Sequence, residues 1–282
     1  MNVLSLFDGM SCGMIALERA GIRVDNYYSS EIDKYAIKVS KANYPQIKQL
    51  GDVAKWKEWD LPKIDLIIAG SPCQGFSFAG KQLAFDDSRS NLFFEFAECL
   101  RFNKIINPNI KFLLENVKMA KKNLDVISGT VGVEPKFINS SLVVPISRQR
   151  FYWSNIVISD IKHRAEKVSD FLGNTGEISA TIGSSADRIF RKTEIFGALT
   201  ATMFKGIRAA GRPIVAWPHC IGKHIDDLVK GDDYRGLTAS EAERLQSVTE
   251  GYTNHVSNTQ RLKMLGNGWT VDVIAHILKG ML

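Results

Sequence analysis

The stretch Ile64-Asp65-Leu66-Ile67-Ile68-Ala69-Gly70-Ser71-Pro72-Cys73-Gln74-Gly75 decides the fold. Its first half is nearly all apolar, which suits a central strand buried on both faces. The chain then enters a glycine-rich loop that carries Cys73. A cysteine just past the carboxyl end of a buried strand lies where open α/β sheets hold their substrates. Most lone cysteines are inert small hydrophobes. Around this one, Gly70, Gly75, Ala79 and Gly80 leave few anchors for a rigid core and suit a mobile lid.

Working outward, strand signals at Val3–Phe7, Tyr27–Ser30 and Lys111–Glu115 flank this run, with helical stretches at Gly13–Ala20, Asp33–Asn43 and Asn91–Ile106. That alternation is the pattern of an open α/β sheet. From Val157 to Gly236 it dissolves into glycines, Ser/Thr clusters and short apolar pieces. Leu237-Thr238-Ala239-Ser240-Glu241 then reads as a capped helix start with Thr238 or Ser240 as N-cap, and a last amphipathic helix spans Trp269–Leu278. The expected organisation is a sheet domain over 1–159, an irregular basic insertion over 160–236 and a return to the first domain over 237–282.

Composition sets limits. A chain of 282 residues, 45% hydrophobic and 23% charged, is ordinary globular material that exceeds the usual single-domain size. No apolar run is long enough to span a bilayer, and the start MNVLSLFDGM lacks the basic region of a secretory signal. Four cysteines with no Cys-x-x-Cys pair suit a reducing compartment, and no metal site is expected. Between Arg188 and His224 lie seven Lys/Arg against one acid, Glu194, as much charge as the whole chain's net +6. A basic patch in one segment is the footprint of phosphate contacts, although a solvated basic face fits charge alone equally well.

Three further sites carry chemistry. The first strand runs through Phe7-Asp8-Gly9-Met10-Ser11-Cys12-Gly13 into a helix, a turn where backbone amides approach a ligand closely. The spacing is not Gly-x-Gly-x-x-Gly, which disfavours a pyrophosphate. Glu31 ends the second strand, where an acid meets ribose hydroxyls, and Asp52 in Gly51-Asp52-Val53 ends the third, where it would accept from an adenine amino group. A tight turn and two surface acids explain these features equally well. Together they point to a ribose-bearing adenosine cofactor. Glu115, after Phe112-Leu113-Leu114, emerges at the same crevice beside Cys73. A nucleophilic thiol next to a proton-donating carboxyl is a productive pair, while a salt-bridged acid is the plainer alternative.

Phe-Asp-Gly-x-x-x-Gly, Ser-Pro-Cys-Gln-Gly-Phe-Ser (71–77), Glu-Asn-Val (115–117), Arg148-x-Arg150 and Gly-Asn-Gly-Trp (266–269) resemble, in this order, the DNA cytosine-5 methyltransferase family. The resemblance covers all but the basic insertion. Stretches at 91–96, 148–153 and 269–271 are similar to the mammalian de novo enzymes, while the undecorated chain looks like a compact bacterial or phage member. It implies a Rossmann-like α/β methyltransferase sheet with a small inserted target-recognition domain. It also implies that a methyl group passes from S-adenosyl-L-methionine to carbon 5 of a flipped cytosine in double-stranded DNA, leaving S-adenosyl-L-homocysteine.

Residue by residue, the resemblance makes Cys73 the nucleophile, Glu115 the group gripping the base, and Arg148 and Arg150 active-site arginines. It places Phe7, Asp8, Gly9, Met10, Glu31, Ile32, Asp52, Val53, Gly70, Asn267 and Trp269 at the cofactor. Ser77, Lys81, Gln82 and Arg89 fall on the loop that closes over DNA, and Lys205, Arg208 and Arg212 in the recognition region. Ile146 stands where the family usually has glutamine, and Ala198 where it commonly has threonine. A transfer-RNA methyltransferase is the nearest alternative, but its Cys-Phe-Thr signature is absent. A catalytically silent DNA-binding homologue is the other. The aromatic stretch Leu92-Phe93-Phe94-x-Phe96 resembles a subunit-contact helix of the de novo enzymes. Aromatics at helical spacing are more often core, so a monomer that dimerises at most on DNA is expected, in the cytoplasm of a bacterial or phage-infected cell.

Overall fold

The computed structural model describes residues 1–72, 91–164, 166–172, 176–182, 188–205 and 213–282. Contacts divide it into two units, the first formed by 1–138, 149–160 and 274–282 and the second by 139–148 and 161–273.

In the first unit the strands are β1 (Asn2–Leu6), β2 (Asn26–Ser30), β3 (Lys48–Gln49), β4 (Leu66–Gly70), β5 (Lys111–Val117), β6 (Lys136–Asn139) and, beyond a short strand of the second unit, β8 (Gln149–Ser154). They form one mixed sheet in the order β3-β2-β1-β4-β5-β8-β6. β1 to β5 are parallel and β8 runs antiparallel to β5. Leu66, Ile67, Ile68 and Ala69 are fully buried, as a central strand covered on both faces requires. The strand order reverses between β1 and β4, which places the open crevice above their carboxyl ends.

Helices α1 (Cys12–Ala20), α2 (Lys34–Asn43), α3 (Asn91–Ile106) and α4 (Lys121–Val131) connect these strands. Asp33 caps α2 by accepting from the Tyr35 amide at 2.9 Å. On α3, Phe93 and Phe96 are fully buried among Phe112, Leu114 and Trp153, while Phe94 is partly exposed. The two inward phenylalanines are therefore core residues and offer no contact surface. Asp52 does not end a strand. β3 stops at Gln49, and Asp52 instead caps a 3-10 helix over Val53–Glu58, accepting from the Ala54 amide at 3.0 Å.

The second unit contains what the sequence left irregular. β9 (Ile178–Ile182), β10 (Phe190–Lys192), β12 (Ile214–Ala216) and β13 (Tyr234–Arg235) make an antiparallel sheet in the order β10-β9-β12-β13. Its core is Ala180, Ile182, Phe190, Ile214, Ala216, Cys220, Ile225 and Tyr234, with the Phe190 and Tyr234 rings edge to face at 5.0 Å. A separate pair of short strands, β7 (Ile146–Ser147) and β11 (Phe196–Gly197), runs parallel. Three helices follow: α5 (Ala239–Leu245), α6 (Asn258–Asn267) and α7 (Val271–Leu278), the last reaching into the first unit's residues. Thr238 caps α5 in a full capping box with Glu241. Among the described residues no helix is long and apolar enough to cross a membrane.

Candidate active site

The turn after β1 is held in a left-handed conformation at three positions, with φ of 58° at Phe7, 60° at Gly9 and 65° at Ser11. Two of these are not glycine, so the surroundings must hold them there. Asp8 does so from inside. Its Oδ1 accepts from Ser5 Oγ at 2.5 Å and Tyr27 Oη at 2.7 Å, and its Oδ2 from Ser11 Oγ at 2.6 Å and Ser29 Oγ at 2.8 Å. Burial pushes its pKa above the ordinary carboxylate value, against the pull of those four hydroxyls. The carboxylate thus faces the sheet. Gly13, one turn into α1, is equally constrained: a Cβ there would overlap the Ile68 side chain and the Tyr27 hydroxyl.

Glu31, just past β2, completes the turn. Its Oε2 accepts from the Gly9 amide and its Oε1 from the amides of Ile32 and Asp33, each at 2.8 Å. Ile32 is 73% exposed, and Asp52 is exposed too. Met10 and Val53 are buried. An exposed apolar side chain and two acids behind neighbouring strands, above a strained amide-bearing turn, fit the donor chemistry of an adenosine with a ribose.

Across the switch point, β4 ends at Gly70, which pairs in register with Glu115 on β5. Val117 in turn pairs with Arg150 on β8, and this register brings Arg150 Nε to 2.7 Å from Glu115 Oε1. Both side chains are largely buried, and the contact rests on charge rather than on an aligned hydrogen bond. Asn116 points to the other face of β5, where its Nδ2 donates to Ser71 Oγ at 3.0 Å. Sequence reading assigned Asn116 and Ser71 no role. The available signal was an asparagine inside an apolar strand, a position polar residues rarely occupy without a partner.

Cys73 lies outside the described residues, as do Ser77, Lys81, Gln82, Arg89, Arg208 and Arg212. Lys205 is exposed at the end of a 3-10 turn over Met203–Lys205. Arg148, Asn267 and Trp269 belong to the second unit. Asn267 is exposed and Trp269 partly so. Arg148 is only 5% exposed, and its guanidinium donates to the carbonyls of Leu199, Gly266 and Asn267 at 3.1–3.4 Å. Arg148 and Arg150, alike in the sequence, are thus held by different units.

Residues 1–127 and 138–282 match the family model described as C-5 cytosine-specific DNA methylase. The chain is 31% identical to the type II methyltransferase M1.ScrFI of Lactococcus lactis subsp. cremoris, covering 100% of this chain and 78% of that one. It is 29% identical to the type II methyltransferase M.HhaI of Haemophilus parahaemolyticus, over 98% of this chain and 93% of that one. Its fold matches the Entamoeba histolytica methyltransferase EhMeth with a TM-score of 0.75 at 17% identity, covering 100% of this chain and 97% of that one. It also matches the S. pombe Dnmt2 methyltransferase with a TM-score of 0.64 at 16% identity, over 99% and 97%. The chain belongs to the C-5 cytosine-specific DNA methylase family. Its activity is that of a DNA (cytosine-5-)-methyltransferase, and the family implies use of S-adenosylmethionine.

Proposed function

We propose that Cys73, Glu115 and Arg150 carry the methylation of a cytosine flipped out of duplex DNA. Cytosine carbon 5 is a poor nucleophile within its aromatic ring. Addition of the Cys73 thiolate to carbon 6 breaks the aromaticity and moves electron density onto carbon 5. Glu115 holds N3 and stabilises the charge the ring gains during attack, while Arg150 holds the O2 side. Bound S-adenosylmethionine supplies the methyl group. Loss of the carbon 5 proton and of the thiolate from carbon 6 then restores the ring and the free Cys73.

The observation that carries this reading is the buried Glu115–Arg150 pair, one strand away from β4, which leads three residues further on to Cys73. Glu31, Ile32 and Asp52 bind the cofactor's adenosine, and the turn at Phe7–Met10 and Gly70 lines it. Residues 160–236 read the DNA, with Lys205, Arg208 and Arg212 on phosphates or guanine edges. Ser77, Lys81, Gln82 and Arg89 contact the DNA from the Cys73 loop. Duplex DNA carrying 5-fluorocytosine should form a covalent complex that requires S-adenosylmethionine and vanishes in Cys73→Ala. A trap that survives in Cys73→Ala, or methyl transfer to transfer RNA in preference to duplex DNA, sinks the reading. The chain acts as a monomer. Light scattering should give one chain's mass at every concentration.

A further inference from the structure

We propose that Arg148 is a positioning residue for DNA contact, fixing from beneath the turn that presents Thr200, Thr202 and Lys205. This rests on the reading of residues 160–236 as the DNA-recognition region. Arg148 sits immediately after β7, and Ala198 and Leu199 immediately after β11, so the parallel pairing of these strands brings the two segments side by side. Its guanidinium then ties the Leu199 carbonyl to those of Gly266 and Asn267 at the end of α6. The base of Arg148 is fixed as well: its amide donates to Ser140 Oγ at 3.1 Å, and its carbonyl accepts from the Ser140 amide at 3.0 Å. A planar guanidinium with five fixed donors can gather several carbonyls at once, which an ammonium cannot do in the same geometry.

Gly266 supports the same junction independently. A Cβ at this position would overlap the Thr200 carbonyl and the Ala201 amide, backbone atoms that cannot swing away. The segment is thus clamped on one side by buried groups, with Leu199 only 1% exposed. On its other side Thr200, Thr202 and Lys205 are exposed. Two hydroxyls and a cation on a fixed backbone suit sugar-phosphate contact, and preorganisation removes the entropy that a loose loop would lose on binding.

The experiment uses a duplex fragment found by bisulfite sequencing to be methylated by the wild type. Arg148→Met keeps the aliphatic stem and removes the donors. It should raise KM for the duplex at least tenfold, far more than it lowers kcat at saturating DNA, with Arg148→Lys restoring part of the loss. Lys205→Ala alone should lower the salt slope of duplex binding by about one unit. In the Arg148→Met background that change should nearly vanish, because a displaced turn no longer brings Lys205 to a phosphate. Gly266→Ala should show the same pattern, and it tests the junction if Arg148→Met does not fold. Additive effects of Arg148→Met and Lys205→Ala, or a loss confined to kcat, overturn the inference and leave the proposed function standing. A wild type that methylates no duplex overturns both.

Discussion

The two units hold their charged side chains in opposite ways. In the first, Glu115 and Arg150 meet because the β4-β5-β8 register delivers them to the same spot. In the second, the strands are only two to five residues long, and arginine side chains carry much of the join between segments. Arg148 gathers three carbonyls, Arg235 bridges Glu177 and Glu241, and Arg261 meets the fully buried Glu243 at 3.2 Å. Where hydrogen-bonded strands are long enough to set geometry, charge is left over for chemistry. Where they are not, charge is consumed in building the fold.

This contrast breaks if substitutions in the two units behave alike. The largest loss of stability should come from Arg261→Met. Removing one partner of a buried pair leaves Glu243 as an uncompensated charge, at a cost of about 3–5 kcal/mol. The Glu243 carboxylate still accepts from the Gly251 and Thr253 amides, which places the loss at the low end of that range. Urea unfolding followed by tryptophan fluorescence measures it, and a loss under 1 kcal/mol removes the structural role. Glu115→Gln should do the reverse: duplex binding nearly retained, and kcat down by ~10²–10³ as a charge-stabilising contact is lost. Asn116→Ala is a smaller change on the same strand. It frees Ser71, and at about 1 kcal/mol for the lost hydrogen bond it should slow formation of the covalent complex only several-fold. Methyl transfer at the wild-type rate would show that Ser71 needs no anchor.

The cysteines sharpen the comparison further. Cys12, Cys99 and Cys220 are all buried, and burial pushes the Cys99 thiol up to about 12. Burial also raises Cys220. A neutral-pH alkylating reagent should therefore spare all three in the folded chain and label Cys73. Mass spectrometry of the labelled protein checks this, and fast modification of Cys99 or Cys220 would contradict the burial argument.

How much of this was legible follows the same division. Buried parallel strands carry continuous apolar runs, so β1, β4 and β5 could be read directly, and the Thr238/Glu241 spacing gave the start of α5. β12 has three residues and pairs with β9 more than thirty positions earlier, Ile214 opposite Ala180. No local pattern of period two survives in so short a strand. Asp52 was misplaced because a short acid after a glycine signals a strand end and a helix cap equally. In the candidate site, Glu115 stood out as an acid closing an apolar run. Spacing alone does not distinguish Arg148 from Arg150, since a separation of two puts both on one face of a continuous strand. The structure breaks the strand between them, with β7 ending at Ser147 and β8 starting at Gln149.

The effect expected at Asp8 is a pH dependence. Burial raises its folded pKa above the unfolded carboxylate value. The stability this contributes is fully present below the unfolded pKa and is lost as pH rises through the folded one. Asp8→Asn cannot ionise and should not lose it. The substitution is tolerable because hydroxyls rotate: Ser5 and Tyr27 keep donating to the amide oxygen, while Ser11 and Ser29 turn to accept from its nitrogen. The other titrating groups are common to both proteins, so the difference between their unfolding free energies isolates Asp8. That difference should move in favour of the variant as pH rises from acid, by at most about 1.4 kcal/mol per pH unit. A difference that stays flat, or moves towards the wild type, would mean the four hydroxyls outweigh burial and hold Asp8 ionised.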